Sequence, residues 1–214
     1  GGGMYLYSSS NPTLTDVTFS GNTAYDGGGM FFTNSSPTLT DVTFNDNSAV
    51  NTGGGMYLYS SSNPTMTNSI LWGNSPQEIY FYESGDPTSI TITYSDIQGG
   101  QDSIVTNDNG TVTWGDGNVD IDPLFVDVDN DDYHLLASSQ CINGGDPTTF
   151  DSDGSRADMG AHYYHNEYSG PTWYIAESGN DTTATGASDD PFRSIQSGIN
   201  FSSDADSVTV AAGT

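Results

Sequence analysis

Apolar and polar residues alternate in short bursts near the start of the chain, and the bursts recur. Met4-Tyr5-Leu6-Tyr7, Met30-Phe31-Phe32-Thr33 and Met56-Tyr57-Leu58-Tyr59 each carry apolar residues two apart, the period of a strand with one buried face. A second run follows each burst, beginning with Leu14-Thr15-Asp16-Val17-Thr18-Phe19. Its parity breaks at Asp16: Leu14 and Asp16 share one face, while Val17 and Phe19 share the other. A corner at Asp16 returns Leu14, Val17 and Phe19 to one interior. Asp41 and Asn68 hold the equivalent place in the next two copies, and short Asx side chains suit such bends.

The copies begin at Gly1, Gly27 and Gly53, a period of 26 residues that signals a solenoid. Helical repeats need apolar residues three and four apart among good helix formers. These units are instead built from Gly, Ser, Thr, Asn, Tyr and Phe, which favours strands. The pattern predicts an all-β parallel β-helix of about three short strands per coil, with coils spaced roughly 4.8 Å along the axis. Met4, Leu6, Met30, Phe32, Met56 and Leu58 then stack inside. Asn22, Asn47 and Asn74 recur after Phe19, Phe44 and Leu71, and stacked Asn amides at a turn can bond from coil to coil. The glycine triplets supply positive φ and close backbone approach.

These motifs resemble a known family. Gly-Gly-Gly-Met, followed by Phe-Ser-Gly-Asn (19–22), Phe-Asn-Asp-Asn (44–47) and Leu-Trp-Gly-Asn (71–74), is similar to the polymorphic outer-membrane-protein repeat, marked by GGA(I/L) and FxxN. The resemblance implies a right-handed parallel β-helix of the pectin-lyase-like type in an exported, extracellular or cell-surface protein. It departs at the third glycine, where Ala is usual, and at Leu71, where Phe is usual.

Three regions follow. Residues 1–100 form the coils, with 89–97 adding one more beyond the strict repeat. Residues 101–165 are Asp- and Gly-rich, and 118–161 resemble the tail that closes such bacterial β-helices, so they should plug the end of the apolar channel. Residues 171–214 resemble the opening of a β-helix: a strand with Trp173 and Ile175, a capping helix, and a strand with Val208 and Val210. The helix has Asp190 as N-cap and Pro191 at its first position, with Phe192, Ile195 and Ile199 on its inner face. Coils, closing region, opening region is an order with two readings. The chain is a segment of a longer multi-helix protein, or 171–214 docks on the open first coil of a neighbouring copy and builds a head-to-tail filament.

Charge narrows the partners. Asp and Glu number 28 against two cations, Arg156 and Arg193, for a net charge of −26. Nucleic acid binding is excluded, since neutralising phosphates takes Lys and Arg. Anionic membranes and acidic polysaccharides are disfavoured unless a cation bridges. No apolar run is long enough to insert in a membrane. The lone Cys141 forms no intrachain disulfide and reads as a buried structural thiol.

An enzyme of this fold would need a base beside bound calcium or a spaced carboxylate pair. Neither arginine lies on a repeated strand, and the acidic pairs fall in Gly-rich turns. We therefore expect no catalytic residues. Two acidic loops are candidate calcium sites: Asp127, Asp129, Asp131 and Asp132, with oxygens at alternating positions, and Asp151, Asp153 and Asp158. Solvated turns explain both loops equally well. The outward side of the first strand carries Tyr5, Tyr7, Phe31, Tyr57 and Tyr59, an aromatic stripe suited to glycans or another surface protein. A ladder that merely stabilises stacked strands is the plainer reading. Together these features predict a noncatalytic extracellular module, a stalk, adhesin or filament subunit. The alternative is a carbohydrate-binding or polysaccharide-degrading β-helix with its groove outside this segment.

Overall fold

A computed structural model describes residues 1–213 of the chain. The described residues divide into two compact units, one of 1–121 with 159–161 and the other of 122–158 with the chain beyond 161.

The first unit is a parallel β-helix. One sheet stacks Met4–Tyr7, Met30–Thr33, Met56–Tyr59 and Ile79–Phe81 in that order. Its register pairs Met4 with Met30, Met30 with Met56, and Met56 with Ile79. A second sheet stacks Thr13–Ser20 on Thr38–Asn45, whose two halves then carry Thr65–Thr67 and Ile70–Trp72. Thr88–Thr93, Asp96–Ile97 and Gly110–Trp114 extend it. Thr23–Asp26 and Ser48–Thr52 form the third face. Leu6, Phe19, Met30, Phe32, Leu39, Val42, Phe44, Met56, Leu58, Met66, Leu71, Ile79 and Phe81 fill one continuous core. The alternating residues fall inside because parallel in-register pairing puts equivalent side chains one above another.

The parity break behaves as its residues dictate. Asp16, Asp41 and Asn68 lie at φ 55°, 52° and 49°, the left-handed region that Asx tolerates better than most residues. Tyr94 takes the same place in the next coil at φ 48°, with no such chemical preference. Leu39, Val42 and Phe44 are fully buried on either side of the Asp41 bend. Asp41 is half-buried, and burial raises its carboxyl to about 6, with Asn68 donating against that trend and Asp16 adding repulsion.

Glycine is required where coils meet backbone to backbone. The Gly28 N–H donates to the Gly53 carbonyl at 3.0 Å and Gly29 N–H to Gly54 at 2.8 Å. A Cβ on Gly28 would lie 2.5 Å from the Gly54 oxygen and 2.7 Å from Ser48 backbone atoms. The third glycine, Gly29, leaves room for Phe44, whose ring a Cβ would approach to 2.8 Å. That contact gives a physical reason for glycine at the place where the resembling repeat has alanine.

Beyond the repeats, the apolar core of the first unit takes in Ile104, Val112 and Trp114 of 101–121, ahead of most of the segment 118–161. Of the latter, Met159–Ala161 belongs to the first unit and covers its side. There Gly160 N–H donates to the Asn68 carbonyl and Ala161 N–H to Thr43 Oγ1, beside Ile70, which is outward-facing yet fully buried.

The second unit joins the acidic region to the strand and helix at the C-terminal end. Phe125–Asp127 pairs antiparallel with Asp132–Leu135, and Thr172–Ile175 pairs in parallel with Ser207–Val210. The helix corrects the sequence reading. It spans Ile195–Phe201, with Ser194 rather than Asp190 as N-cap, the Ser194 hydroxyl accepting from Ser197 N–H. Its buried residues are Ser197 and Gly198, while Ile195 and Ile199 are 55% and 53% exposed. The physical reason is close approach: Gly198 sits against Ile175 and Val208, where a Cβ would come within 3.0 Å of either side chain. Phe192 is buried outside the helix, bridging to Ile175 and stacking on Trp173 and Phe201.

Two substitutions test this architecture. Gly28→Ala should lower stability by about 3 kcal/mol or more, because backbone has no room to yield. Gly21→Ala, at φ 61° with nothing within 4 Å, should cost only the left-handed penalty of about 1 kcal/mol. Chemical denaturation of both variants measures the difference, and equal losses would contradict the close-packed coil junction.

Asp41→Asn tests the bend. A carboxyl whose folded pKa lies above its unfolded value favours the folded state fully below pH 3.8 and loses that contribution as pH rises through about 6. Asn keeps the bend without ionising. The variant should therefore gain about 1 kcal/mol over wild type at pH 7.5, after solvent screening of a half-exposed group. The gain should vanish near pH 4 in parallel denaturation curves.

Candidate functional site

Two features of the first unit run from coil to coil, one buried and one on the outer face. The first is the amide ladder. Asn47 Oδ1 accepts from the Asn22 backbone N–H at 3.1 Å and from Asn22 Nδ2 at 2.9 Å. Asn74 Oδ1 accepts from the corresponding Asn47 groups at 2.9 and 2.8 Å. The spare amide hydrogens of Asn47 and Asn74 go to the Phe19 and Phe44 carbonyls. The ladder then ends on a residue the sequence reading missed. Glu78 Oε1 accepts from Asn74 N–H at 3.0 Å and Glu78 Oε2 from Asn74 Nδ2 at 2.5 Å. Glu78 is 4% exposed, and burial raises its carboxyl to about 7 against the pull of both Asn74 bonds. Its position four residues after Asn74 was a usable clue, since the residue stands just before the apolar alternation of the next coil.

A second ladder was also missed. Ser69 Oγ accepts from Val42 N–H, Ser95 Oγ from Ser69 N–H, and Asn118 Oδ1 from Ser95 N–H, at 3.0–3.1 Å. Both serines are fully buried and follow the left-handed corner directly.

The feature on the outer face is the aromatic stripe. Tyr5 and Phe31 lie 5.1 Å apart between ring centroids, Phe31 and Tyr57 4.6 Å, and Tyr57 and Tyr80 5.6 Å. Tyr59 meets Tyr82 at 5.1 Å. Tyr80 and Tyr82 extend the stripe beyond the predicted residues. They escaped notice because Ile79 follows Met56 by 23 residues where Met56 follows Met30 by 26. Phe31 stacks on Tyr57 and Tyr57 on Tyr80, while Tyr5 tilts by 32° against Phe31. Phe31 and Tyr57 thus each have a ring neighbour in both axial directions, and Tyr57 is 5% exposed. Tyr5 and Tyr7, at 55% and 60%, are the open rings.

The acidic candidates are distributed among turns. Asp127 accepts from Asn130 Nδ2, Asp131 from the Tyr133 hydroxyl, and Asp132 from His134 N–H. Asp129 is exposed. In the second loop, Asp151 Oδ2 accepts from Asp158 N–H. Asp158 accepts from Asn143 N–H and Tyr164 N–H, both at 2.7 Å, and deep burial raises its carboxyl to about 8. Asp153 accepts from Ser155 N–H and Oγ and from Asn166 N–H. Burial acts to raise Asp153, but these bonds outweigh it and hold the carboxyl below its ordinary value. Among the described residues, no three His, Cys, Asp or Glu side chains are grouped to hold a metal ion.

The docking residues pack within the second unit. Trp173 and Ile175 are buried, Val208 is half-buried beside Trp173, and Val210 is 54% exposed. Asn200 Nδ2 donates to the Ala137 and Ser139 carbonyls, and the Tyr164 hydroxyl to Ala184.

The model of the right-handed beta helix region family matches residues 1–122. The chain belongs to that family. The match covers the stacked coils and ends within one residue of the first unit's main segment. No curated protein and no solved structure matches the chain. Among the described residues, no helix of this β-helix protein is long and apolar enough to cross a membrane.

Glu78→Gln isolates the ladder end. Gln supplies one acceptor and one donor where Asn74 presents two donors, so one bond is lost, at about 1–3 kcal/mol. Wild-type Glu78 favours folding fully below pH 4.5 and loses that contribution as pH rises through about 7. The variant should be least stable relative to wild type at pH 5, with the gap narrowing by pH 8.5. Thermal melts across that range measure it.

Proposed function

We propose that this β-helix protein is a noncatalytic, stiff module of an extracellular or cell-surface protein, serving as a stalk, an adhesin or a filament element. The observation that carries the reading is the commitment of side chains, buried amides and outward aromatics alike, to axial contacts. The Asn22-Asn47-Asn74-Glu78 ladder and the Tyr5-Phe31-Tyr57-Tyr80 stack both join coil to coil, which resists bending and shear in a one-dimensional stack. A net charge of −26 supports a solvated exterior.

Glycan recognition by the stripe is the weaker reading, because sugar stacking needs open ring faces and Tyr57, at its centre, is buried between Phe31 and Tyr80. Tyr57→Ser separates the two. On the structural reading it lowers stability by about 3 kcal/mol, and wild type neither binds nor turns over a panel of neutral and acidic polysaccharides, with or without calcium. Calorimetric titration and reducing-end assays score the panel. Depolymerisation of any member, or loss of glycan binding in a fully stable Tyr57→Ser variant, would overturn the proposal.

A further inference from the structure

The second unit holds a cleft of about 540 Å³, within the range of small-molecule sites. Arg156 and Asp153 both line it, beside Asn143, Tyr168, Trp173 and Asn200. In a chain with two cations, one of them faces this cleft. Arg156 is held in place by backbone: its Nε donates to the Gly145 carbonyl at 2.7 Å, and one terminal nitrogen donates to the Gly144 and Gly145 carbonyls. Those bonds fix the plane of the guanidinium and leave the second terminal nitrogen for another acceptor. Among the described residues Arg156 forms no ion pair, so it stands further from Asp153 than the 4.0 Å of a direct contact.

Asp153 is equally fixed, by Ser155 and Asn166. Its oxygens accept three bonds there, and an ionised carboxylate has about four lone-pair sites, so one more donor can be received. The cleft thus offers a rigid cation and a rigid anion, separated by a gap, with the half-buried Tyr168 alongside, its ring packed edge-on against the buried Trp173 at 5.1 Å. Field considerations select the ligand. A free anion is repelled by the net charge of −26, and a free cation meets 28 competing carboxylates. A molecule carrying both charges suffers neither handicap.

We propose that this cleft binds a free α-amino acid, its carboxylate on Arg156 and its ammonium on Asp153, with an apolar side chain along the half-buried Tyr168. The site is independent of the structural role assigned to the coils.

Isothermal titration of the full chain with L-leucine and L-phenylalanine tests it, against N-acetyl-L-leucine, which lacks the ammonium, and L-leucinamide, which lacks the carboxylate. The zwitterions should bind at least tenfold more tightly than either analogue. Arg156→Gln and Asp153→Asn should each weaken L-leucine at least tenfold. Because Arg156 also braces the Gly144-Gly145 turn, Arg156→Lys and chemical-shift mapping on wild type provide a second readout. Shifts should centre on Asn143, Arg156 and Tyr168. Absence of binding by both zwitterions, equal binding of N-acetyl-L-leucine, or shifts centred elsewhere would overturn the assignment.

Discussion

In-register parallel pairing is the constraint on which the first unit depends. Once Met4 sits on Met30 and Met30 on Met56, every other position must also sit on its own kind. Apolar residues then form an unbroken core, asparagines form a chain of amides, and outward aromatics form a stack. Each layer reinforces the next because the same coil spacing suits strand hydrogen bonds, amide contacts and ring overlap. The glycine triplets are the counterpart of this arrangement. They let backbone touch backbone where the coil turns, so that the spacing is set by main-chain bonds and by no side chain.

The coils were legible because their information is local and repeated. The parity change at Asp16, Asp41 and Asn68 announced a corner, and those residues hold left-handed φ as their chemistry allows. Legibility failed where repetition failed. The fourth strand of the first sheet, Ile79–Phe81, lies three residues early, so Tyr80 and Tyr82 were not counted with the stripe. Glu78 replaces an amide with a carboxylate, and a type-for-type comparison passes over it. Ser69 and Ser95 are ladder members only because each follows a corner and turns inward, which is a fact of backbone rather than of composition.

The second unit was harder to read because its elements are single copies. The spacing of Phe192, Ile195 and Ile199 describes a helical face well, yet the chain uses the opposite side. Gly198 and Ser197 permit an approach that isoleucine would prevent, and Phe201 supplies the apolar contact from the last turn. The acidic loops pose another difficulty. Several of their carboxylates accept from groups in or near the same turn, Asp132 from His134 N–H and Asp153 from Ser155 N–H among them, a use of aspartate that spacing alone does not distinguish from metal binding.

The amide ladder has a direction. From Asn22 to Asn74 each side chain donates toward the following coil and accepts from the preceding one, so the amide dipoles add head to tail and their positive end points at Glu78. A further amide there would pass the donor on and demand another partner. A carboxylate has acceptors alone, so it terminates the series, as a chain stopper ends a polymer. The accumulated dipole in turn favours the negative charge that burial opposes, so the length of the ladder and the acidity of its last residue are coupled properties.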